Sequence, residues 1–351
     1  MSIIAKNTLD AKPSKPWKQS KTQLSINLSI LFGSLLLSPL IVLVTPFSGK
    51  LGTIFVFLIL STAASTVASV LKFGSKTITN SIASSAIYVA TGLVLLPLAS
   101  ILYTVVSKGI TALRVNTFTE DMSQTQPDAA FTDGGALHAI IGTIELVVIA
   151  GVICVPIGIL TALYLTEVKG RFSKIVRFLV QAMSGVPSIV AGLFVYSVLI
   201  VGLKGHYSGI AGAVSLSILM LPTVARTSEE VLKLIPNDLR EAGIALGGTQ
   251  WRTVARIVLP TARSGLMTAV ILGVARVAGE TAPLLLTILG STAVHLNPID
   301  APMSALPLYT FNLMRTGLDI AVSRAWTGAL VLLVLVLTLF IFARLLSGKR
   351  K

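Results

Sequence analysis

The stretch from Asn237 to Pro260 reads Asn-Asp-Leu-Arg-Glu-Ala-Gly-Ile-Ala-Leu-Gly-Gly-Thr-Gln-Trp-Arg-Thr-Val-Ala-Arg-Ile-Val-Leu-Pro. Its local chemistry predicts two short helices joined by a glycine turn. Pro236 or Asn237 can open the first helix, and Asp238 sits in the first turn, where unpaired amides favour negative charge. Gly247 and Gly248 supply the positive-φ ending. A second, amphipathic helix runs through Trp251, Val254 and Ile257 and is expected to stop before Pro260. A polar segment of this length with structure of its own is usually functional.

Working outward, the stretch lies between apolar runs too long for a soluble core. Eight such runs lie near residues 24–46, 51–71, 82–106, 139–166, 178–203, 209–226, 265–290 and 325–346. Each approaches the roughly 20 apolar residues needed to cross a bilayer core of about 30 Å. The chain is 54% hydrophobic and only 12% charged, with a mean hydropathy of +0.87. Soluble domains carry about 25% charged residues, so most of this surface must face lipid. No strand-like alternation is present, and a backbone in lipid must satisfy its own hydrogen bonds, so the spans are helical. The fold class is an all-α membrane protein with about eight transmembrane helices.

The net charge of +14 would suggest nucleic acid in a soluble protein. Its distribution answers otherwise. Twenty-one of the 28 Lys and Arg fall on alternate connecting segments and the termini, beginning with Lys6, Lys12, Lys15, Lys18 and Lys21. Lys72 and Lys76, then Lys169 to Arg177, then Arg226 to Arg263, then Arg344 and Lys349 to Lys351 continue the pattern. The positive-inside rule therefore places both termini, and Asn237–Pro260, in the cytoplasm. No nucleic-acid partner is implied.

The opposite face carries a polar loop over 107–138 and a long segment over 291–324, expected to dip partly into the membrane. Cys154 has no cysteine to pair with, and His138, His206 and His295 are separated and expected at wetted outer loops, so no metal or cofactor is implied. The N-terminus lacks a cleavable signal pattern. Residues 1–79 read as a Lys-rich tail with two extra spans. Residues 80–351 read as the main membrane domain, with outer loop 107–138 and inner loop 227–263.

The seventh run contains Arg276, about 11 residues or roughly 16 Å beyond its inner end at 1.5 Å per residue, close to mid-membrane. A charge there costs about 2.5–3.5 kcal/mol on insertion scales, and such residues usually serve function. Glu280 is four residues on and expected on the same helix face. The pair can simply neutralise itself. It can also present a guanidinium to a tetrahedral oxyanion while the carboxylate positions it. Arg226 and Glu229, at the inner end of the sixth run, form a second Arg/Glu combination, with a snorkelling arginine as the alternative. Glu145 reads as an interfacial or helix-facing carboxylate.

Glu241-Ala242-Gly243, then Gly247, then Ile257, Leu259 and Pro260 resemble the "EAA" loop of bacterial ATP-binding cassette (ABC) importer permeases. Gly243 replaces that pattern's second alanine. The resemblance implies that the loop docks on a separate ATPase subunit, and the chain itself has no G-x-x-x-x-G-K-[ST] phosphate loop. The strings Gly185–Leu193, Ala275–Leu284 and Pro302–Leu308 are similar to the PstA-type permeases of bacterial phosphate importers. That resemblance covers about residues 80–351. It implies a six-helix core preceded by a two-helix extension, a cytoplasmic-membrane location, and phosphate passage by alternating access. It further implies a PstC-type partner permease, a PstB-type ATPase dimer and an extracytoplasmic phosphate-binding protein. In the family, residues matching Arg226, Glu229 and Arg276 are implicated in passing phosphate. Sulfate or molybdate transport is the alternative cargo. An ion-coupled secondary transporter is the alternative class, and it leaves Glu241–Pro260 without a purpose.

Overall fold

The computed structural model describes residues 21–44, 49–73 and 78–346. Lys6, Lys12, Lys15, Lys18, Lys76, Lys349, Arg350 and Lys351, read above as inner-face charges, lie outside the described residues. Among those described, the regular elements are helices, with one isolated bridge between Leu289 and Met303. The chain divides into two compact units, Met1–Ile101 and Leu102–Lys351.

In the first unit, α1 (Lys21–Val44) and α2 (Gly49–Phe73) pack on each other. Ser34 and Ser38 are buried on α1, and Gly52 and Val56 on α2. Small residues at that seam let the backbones approach where lipid supplies no hydrophobic drive. Phe32, Leu36, Leu43, Phe55 and Leu71 remain exposed, as a lipid-facing surface requires. Helix α3 (Ile78–Gly109) starts in this unit and ends in the second.

The second unit contains α4 (Leu137–Val168), the bent pair α5 (Ser173–Ser184) and α6 (Ser188–Gly202), and α7 (Gly209–Lys233). Then come α8 (Asn237–Ala245), α9 (Gln250–Ala278), α10 (Ala282–Thr287), α11 (Leu306–Thr316) and α12 (Asp319–Leu346). Its centre is the α4–α7 contact. Leu146, Ala150 and Cys154 face Leu216, Met220 and Val224, each set recurring every fourth residue, with Leu284 and Ile288 closing the cluster. Val224 lies where side chains at Gly158 and Gly273 would stand: a Cβ there would be 2.8 and 2.7 Å from its methyls. Those glycines set the spacing of three spans.

Among the described residues, seven helices are individually long and apolar enough to cross a membrane, and the bent pair makes up to eight. The run expected as a single span at 178–203 turns by 104° between α5 and α6. The turn falls at Gly185-Val186-Pro187, where Pro187 disfavours helical geometry in Val186 and supplies no amide. The run expected at 265–290 is also interrupted. Helix α9 ends at Ala278 with Gly279 at its C-cap, and α10 starts afresh with Pro283 in its first turn. A Cβ on Gly279 would meet nothing within 4 Å, so this glycine ends a helix and does not admit a neighbour.

At the other end, α9 passes through Pro260, where the sequence predicted a stop. A π-helical turn over Val254–Val258 directly precedes that proline. The wider turn shifts the hydrogen-bond register and absorbs the missing N–H. The second helix of the inner stretch is therefore the inner end of a membrane helix.

Candidate functional site

The inner hairpin, α8 and the start of α9, closes as a Schellman motif. Gly248 N–H donates to the Gly243 carbonyl (3.1 Å) and Gly247 N–H to that of Ile244 (2.9 Å), with Gly247 at φ +81°. Gly243 is buried under the second arm. A Cβ there would lie 2.6 Å from Thr253 Cγ2 and 2.8 Å from Ile257 Cδ1. The glycine at the EAA third position thus sets how closely the two arms approach. Glu241 and Ala242 are exposed, as are the apolar side chains of Leu239, Ile244, Leu246 and Trp251.

What holds the hairpin is an ion pair that local sequence does not signal. Arg240 donates Nε and Nη2 to both oxygens of Glu167 at the inner end of α4, at 2.8–3.1 Å. Its remaining donors reach the carbonyls of Leu232 and Ile235 and the Asn237 side chain. Gln250 Nε2 adds a bond to the Glu167 carbonyl at 2.7 Å. Glu167 is the lone acid in the basic segment after the fourth run, which is the one hint the sequence offered.

The two Arg/Glu combinations read from sequence do not form. Glu229 is buried, but it accepts from Arg177 Nη2 (2.8 Å) and Lys233 Nζ (3.0 Å), while Arg226 points elsewhere and is exposed. Glu229 is buried and taken by a cation from α5 and by Lys233 one turn on, which leaves Arg226 exposed and outside the cluster. Arg276 and Glu280 share no helix face, because α9 has ended between them, and no ion pair joins them among the described residues.

Arg276 instead donates Nη1 to Thr223 Oγ1 at 3.1 Å. It occupies the last turn of α9, where the helix dipole favours a cation. Thr223 lies ten residues before Lys233, the last residue of α7, about 15 Å along that helix. Arg226 follows Thr223 by three residues on α7, and both Arg226 and Arg276 are exposed. Glu280 is half-buried in the break between α9 and α10. Glu145 is partly buried, with Oε2 enclosed and unpartnered.

The three strings singled out in the sequence mark where non-helical backbone meets the core. Gly192 on α6 abuts Pro283, whose Cα would be 2.6 Å from a Cβ there. Gly142 on α4 lies against the Ser304 carbonyl, and its neighbour Thr143 accepts the Leu306 amide at 2.8 Å. Ser291 N–H donates to Met303. Irregular backbone at membrane depth survives only when enclosed by protein in this way.

Near the start of α12, Arg324 is 5% exposed. Its Nη2 donates to the carbonyls of Ala129, Ala130 and Asp133 at 2.6–3.0 Å. Asp121 accepts from the Ser123 hydroxyl and amide and from Val294 N–H, tying loop 107–138 to the segment after α10. The Ser123 hydroxyl, chiefly, holds the Asp121 carboxyl below its ordinary value. His138, expected in a wetted loop, is buried with its ring 5.5 Å from that of Tyr309.

Apolar spans, broken helices meeting in the core and a braced inner hairpin define a multi-pass membrane protein of the permease class. Residues 154–351 match the family model described as binding-protein-dependent transport system inner membrane component. The phosphate transport system permease protein PstA 1 of Mycobacterium tuberculosis is 38% identical over 271 residues, covering 77% of this chain and 87% of the relative. PstA of Haemophilus influenzae is 41% identical over 253 residues, covering 72% and 87%. In fold, the chain is similar to a crystal structure of a bacterial ABC transporter involved in the import of the acidic polysaccharide alginate. That similarity has a TM-score of 0.53 at 16% identity, covering 78% of this chain and 97% of that one. The chain belongs to the family of binding-protein-dependent transport inner membrane components, alongside the PstA permeases. It is thus a multi-pass inner-membrane permease of the ABC type, with ATP hydrolysis assigned to a partner component.

Proposed function

We propose that this permease passes inorganic phosphate inward across the membrane by alternating access. Its partners in that reading are a PstB-type ATPase dimer, a PstC-type permease and an extracytoplasmic phosphate-binding protein. Residues 80–351 form the permease domain, residues 1–79 an N-terminal extension, and both termini lie in the cytoplasm. Glu241, Ala242, Gly243, Gly247, Ile257, Leu259 and Pro260 shape the hairpin that meets the ATPase. The exposed Leu239, Ile244, Leu246 and Trp251 suit that contact.

Arg276 carries the cargo assignment. One hydrogen bond to Thr223 steadies its guanidinium, and among the described residues no carboxylate neutralises it. A guanidinium held this way retains the planar donors that suit a tetrahedral oxyanion. Arg226, three residues after Thr223 on α7, offers a second exposed cation. Glu229 is occupied by Arg177 and Lys233, so its part is to position α5 against α7. Glu280 can accept a hydrogen bond from the proton that phosphate still carries at neutral pH and sulfate lacks.

The test is phosphate-stimulated ATPase and uptake in the reconstituted complex. Arg276→Ala is expected to abolish both responses, and full activity in that variant overturns the assignment. Glu280→Gln is expected to weaken discrimination of phosphate from sulfate. An unchanged preference removes Glu280 from the path.

A further inference from the structure

The turn at Gly185-Val186-Pro187 sets α5 at 104° to α6. With α6 crossing the bilayer, α5 therefore runs close to the membrane plane. Its 12 residues reach about 18 Å, too short for a core of about 30 Å. It cannot lie deep either, because Arg171, Lys174 and Arg177 are exposed along it and its approach.

At about 100° per residue, the side chains of α5 fall into three sectors. Val176, Val180 and Met183 form the covered flank, where α5 packs on α7 and Val180 is buried. Lys174, Arg177 and Gln181 form a polar flank, and Arg177 is tied to Glu229 of α7. The third sector is apolar and open. Phe172 at the N-cap, Ile175, Phe178 and Leu179 are each more than half exposed. A helix with one flank on protein, one polar and one apolar is built to lie in a membrane surface.

Charge selects the occupant of the open sector. Residues 168–184 hold four cations, Lys169, Arg171, Lys174 and Arg177, and no acid. Glu229 engages Arg177, whereas Arg171 and Lys174 have no ion pair among the described residues. The Arg171 guanidinium lies 5.4 Å from the Phe172 ring, which keeps a cation at the edge of the apolar sector. An acidic phospholipid leaflet meets both demands, with acyl chains for the rings and phosphates for the cations. Protein interfaces are instead depleted in lysine.

We propose that α5 is a surface-seated helix whose Phe172–Leu179 face docks on the anionic inner leaflet, with Arg171 and Lys174 at its headgroups. This rests on the cytoplasmic placement of the segment after α4. Long basic stems keep their charges among the headgroups while the apolar sector sits about 5–10 Å into the boundary below them. The Arg177–Glu229 pair then ties the seated helix to the inner end of α7.

Cys154 is the sole cysteine and is buried, so one introduced surface cysteine takes a probe selectively. The full chain with Phe178→Cys, labelled with the fluorophore NBD, is placed in nanodiscs of phosphatidylcholine and phosphatidylglycerol. Quenching is compared for doxyl-labelled phosphatidylcholine, doxyl-labelled phosphatidylglycerol and aqueous iodide. Both lipids should quench and iodide should do little. Phosphatidylglycerol should be favoured at least about fivefold, the worth of one cation at a charged surface. Arg171→Gln with Lys174→Gln should bring the two lipids level. Phe178 and both cations are exposed, so these changes disturb no packing. Absent lipid quenching, equal quenching by the two lipids before the double substitution, or a preference that survives it overturns the proposal. Loss of lipid quenching in the assembled transporter assigns the face to a protein partner and also overturns it. A membrane-impermeant maleimide on Lys174→Cys, in inverted and right-side-out vesicles, tests the placement separately. Labelling only from the outer side overturns that placement, and the inner-leaflet seat with it, independently of the quenching.

Discussion

Arg240 and Glu167, 73 residues apart, meet through two-pronged hydrogen bonding at 2.8–3.1 Å. Arg240 directly precedes Glu241 of the hairpin motif, and Glu167 ends α4. Any displacement of the hairpin therefore reaches a membrane helix through a nearly buried pair.

Breaking that pair by Arg240→Ala strands a carboxylate that is 7% exposed and two backbone carbonyls. The expected cost is roughly 2–4 kcal/mol, since truncating one partner leaves the other desolvated and unpaired. Thermal unfolding of the purified chain should fall accordingly, and ATP hydrolysis in the complex should lose its dependence on cargo. Arg240→Lys should recover little, because an ammonium cannot match the fork. Wild-type melting and coupling in Arg240→Ala exclude the bracing role.

The hairpin turn makes a sharper demand. Gly247 stands at φ +81° with open space around its Cα, so strain, and no clash, penalises a side chain. Gly247→Ala should destabilise the turn by about 1–2 kcal/mol, and Gly247→Asn by less. Hydrogen exchange at the Gly247 and Gly248 amides measures this directly, as both donate in the motif.

In the membrane, Thr223 supplies the single bond that steadies Arg276. Thr223→Val keeps the shape and removes the acceptor. Phosphate-stimulated turnover is expected to fall about twofold to tenfold, the net worth of one hydrogen bond. That is far milder than the loss expected for Arg276→Ala. An equally severe Thr223→Val would assign the threonine a direct role in the path.

Arg324→Met leaves the carbonyls of Ala129, Ala130 and Asp133 without their donor. Each buried acceptor so stranded costs about 1–3 kcal/mol unless water reaches it. Limited proteolysis should then cut within loop 107–138, where the wild type resists.

The same loop has a pH signature. Asp121 is held below the ordinary carboxylate value, so its contribution is fully present above the unfolded value of about 3.9. It is lost as pH falls through the lower folded value. Proteolytic protection of loop 107–138 should therefore be flat from neutrality down to about pH 4 and fall only in stronger acid. Asp121→Asn should remove that acid dependence.

Much of this molecule was legible locally. The apolar runs announced the spans because lipid imposes a length of about 20 residues whatever the neighbours are. Asn237–Pro260 announced the hairpin because helix starts and glycine stops are written into adjacent residues, and Gly247 adopts the positive φ the turn needs. The Gly185–Leu193, Ala275–Leu284 and Pro302–Leu308 strings carried the likeness to PstA-type permeases, and their meeting in the core was not read from them.

Only the tertiary structure decided which charges meet. Glu229 takes Arg177, 52 residues away, instead of Arg226, and Arg276 takes Thr223 instead of Glu280. Spacing of three or four residues predicts contact only on an unbroken helix, and α9 breaks between Arg276 and Glu280. The helix that seemed to stop at Pro260 continues because a π turn absorbs the proline. Arg324 is buried because a distant loop folds three carbonyls around it. Periodicity and caps belong to neighbours in the chain and can be read there. Ion pairs and helix breaks depend on what the rest of the fold brings alongside.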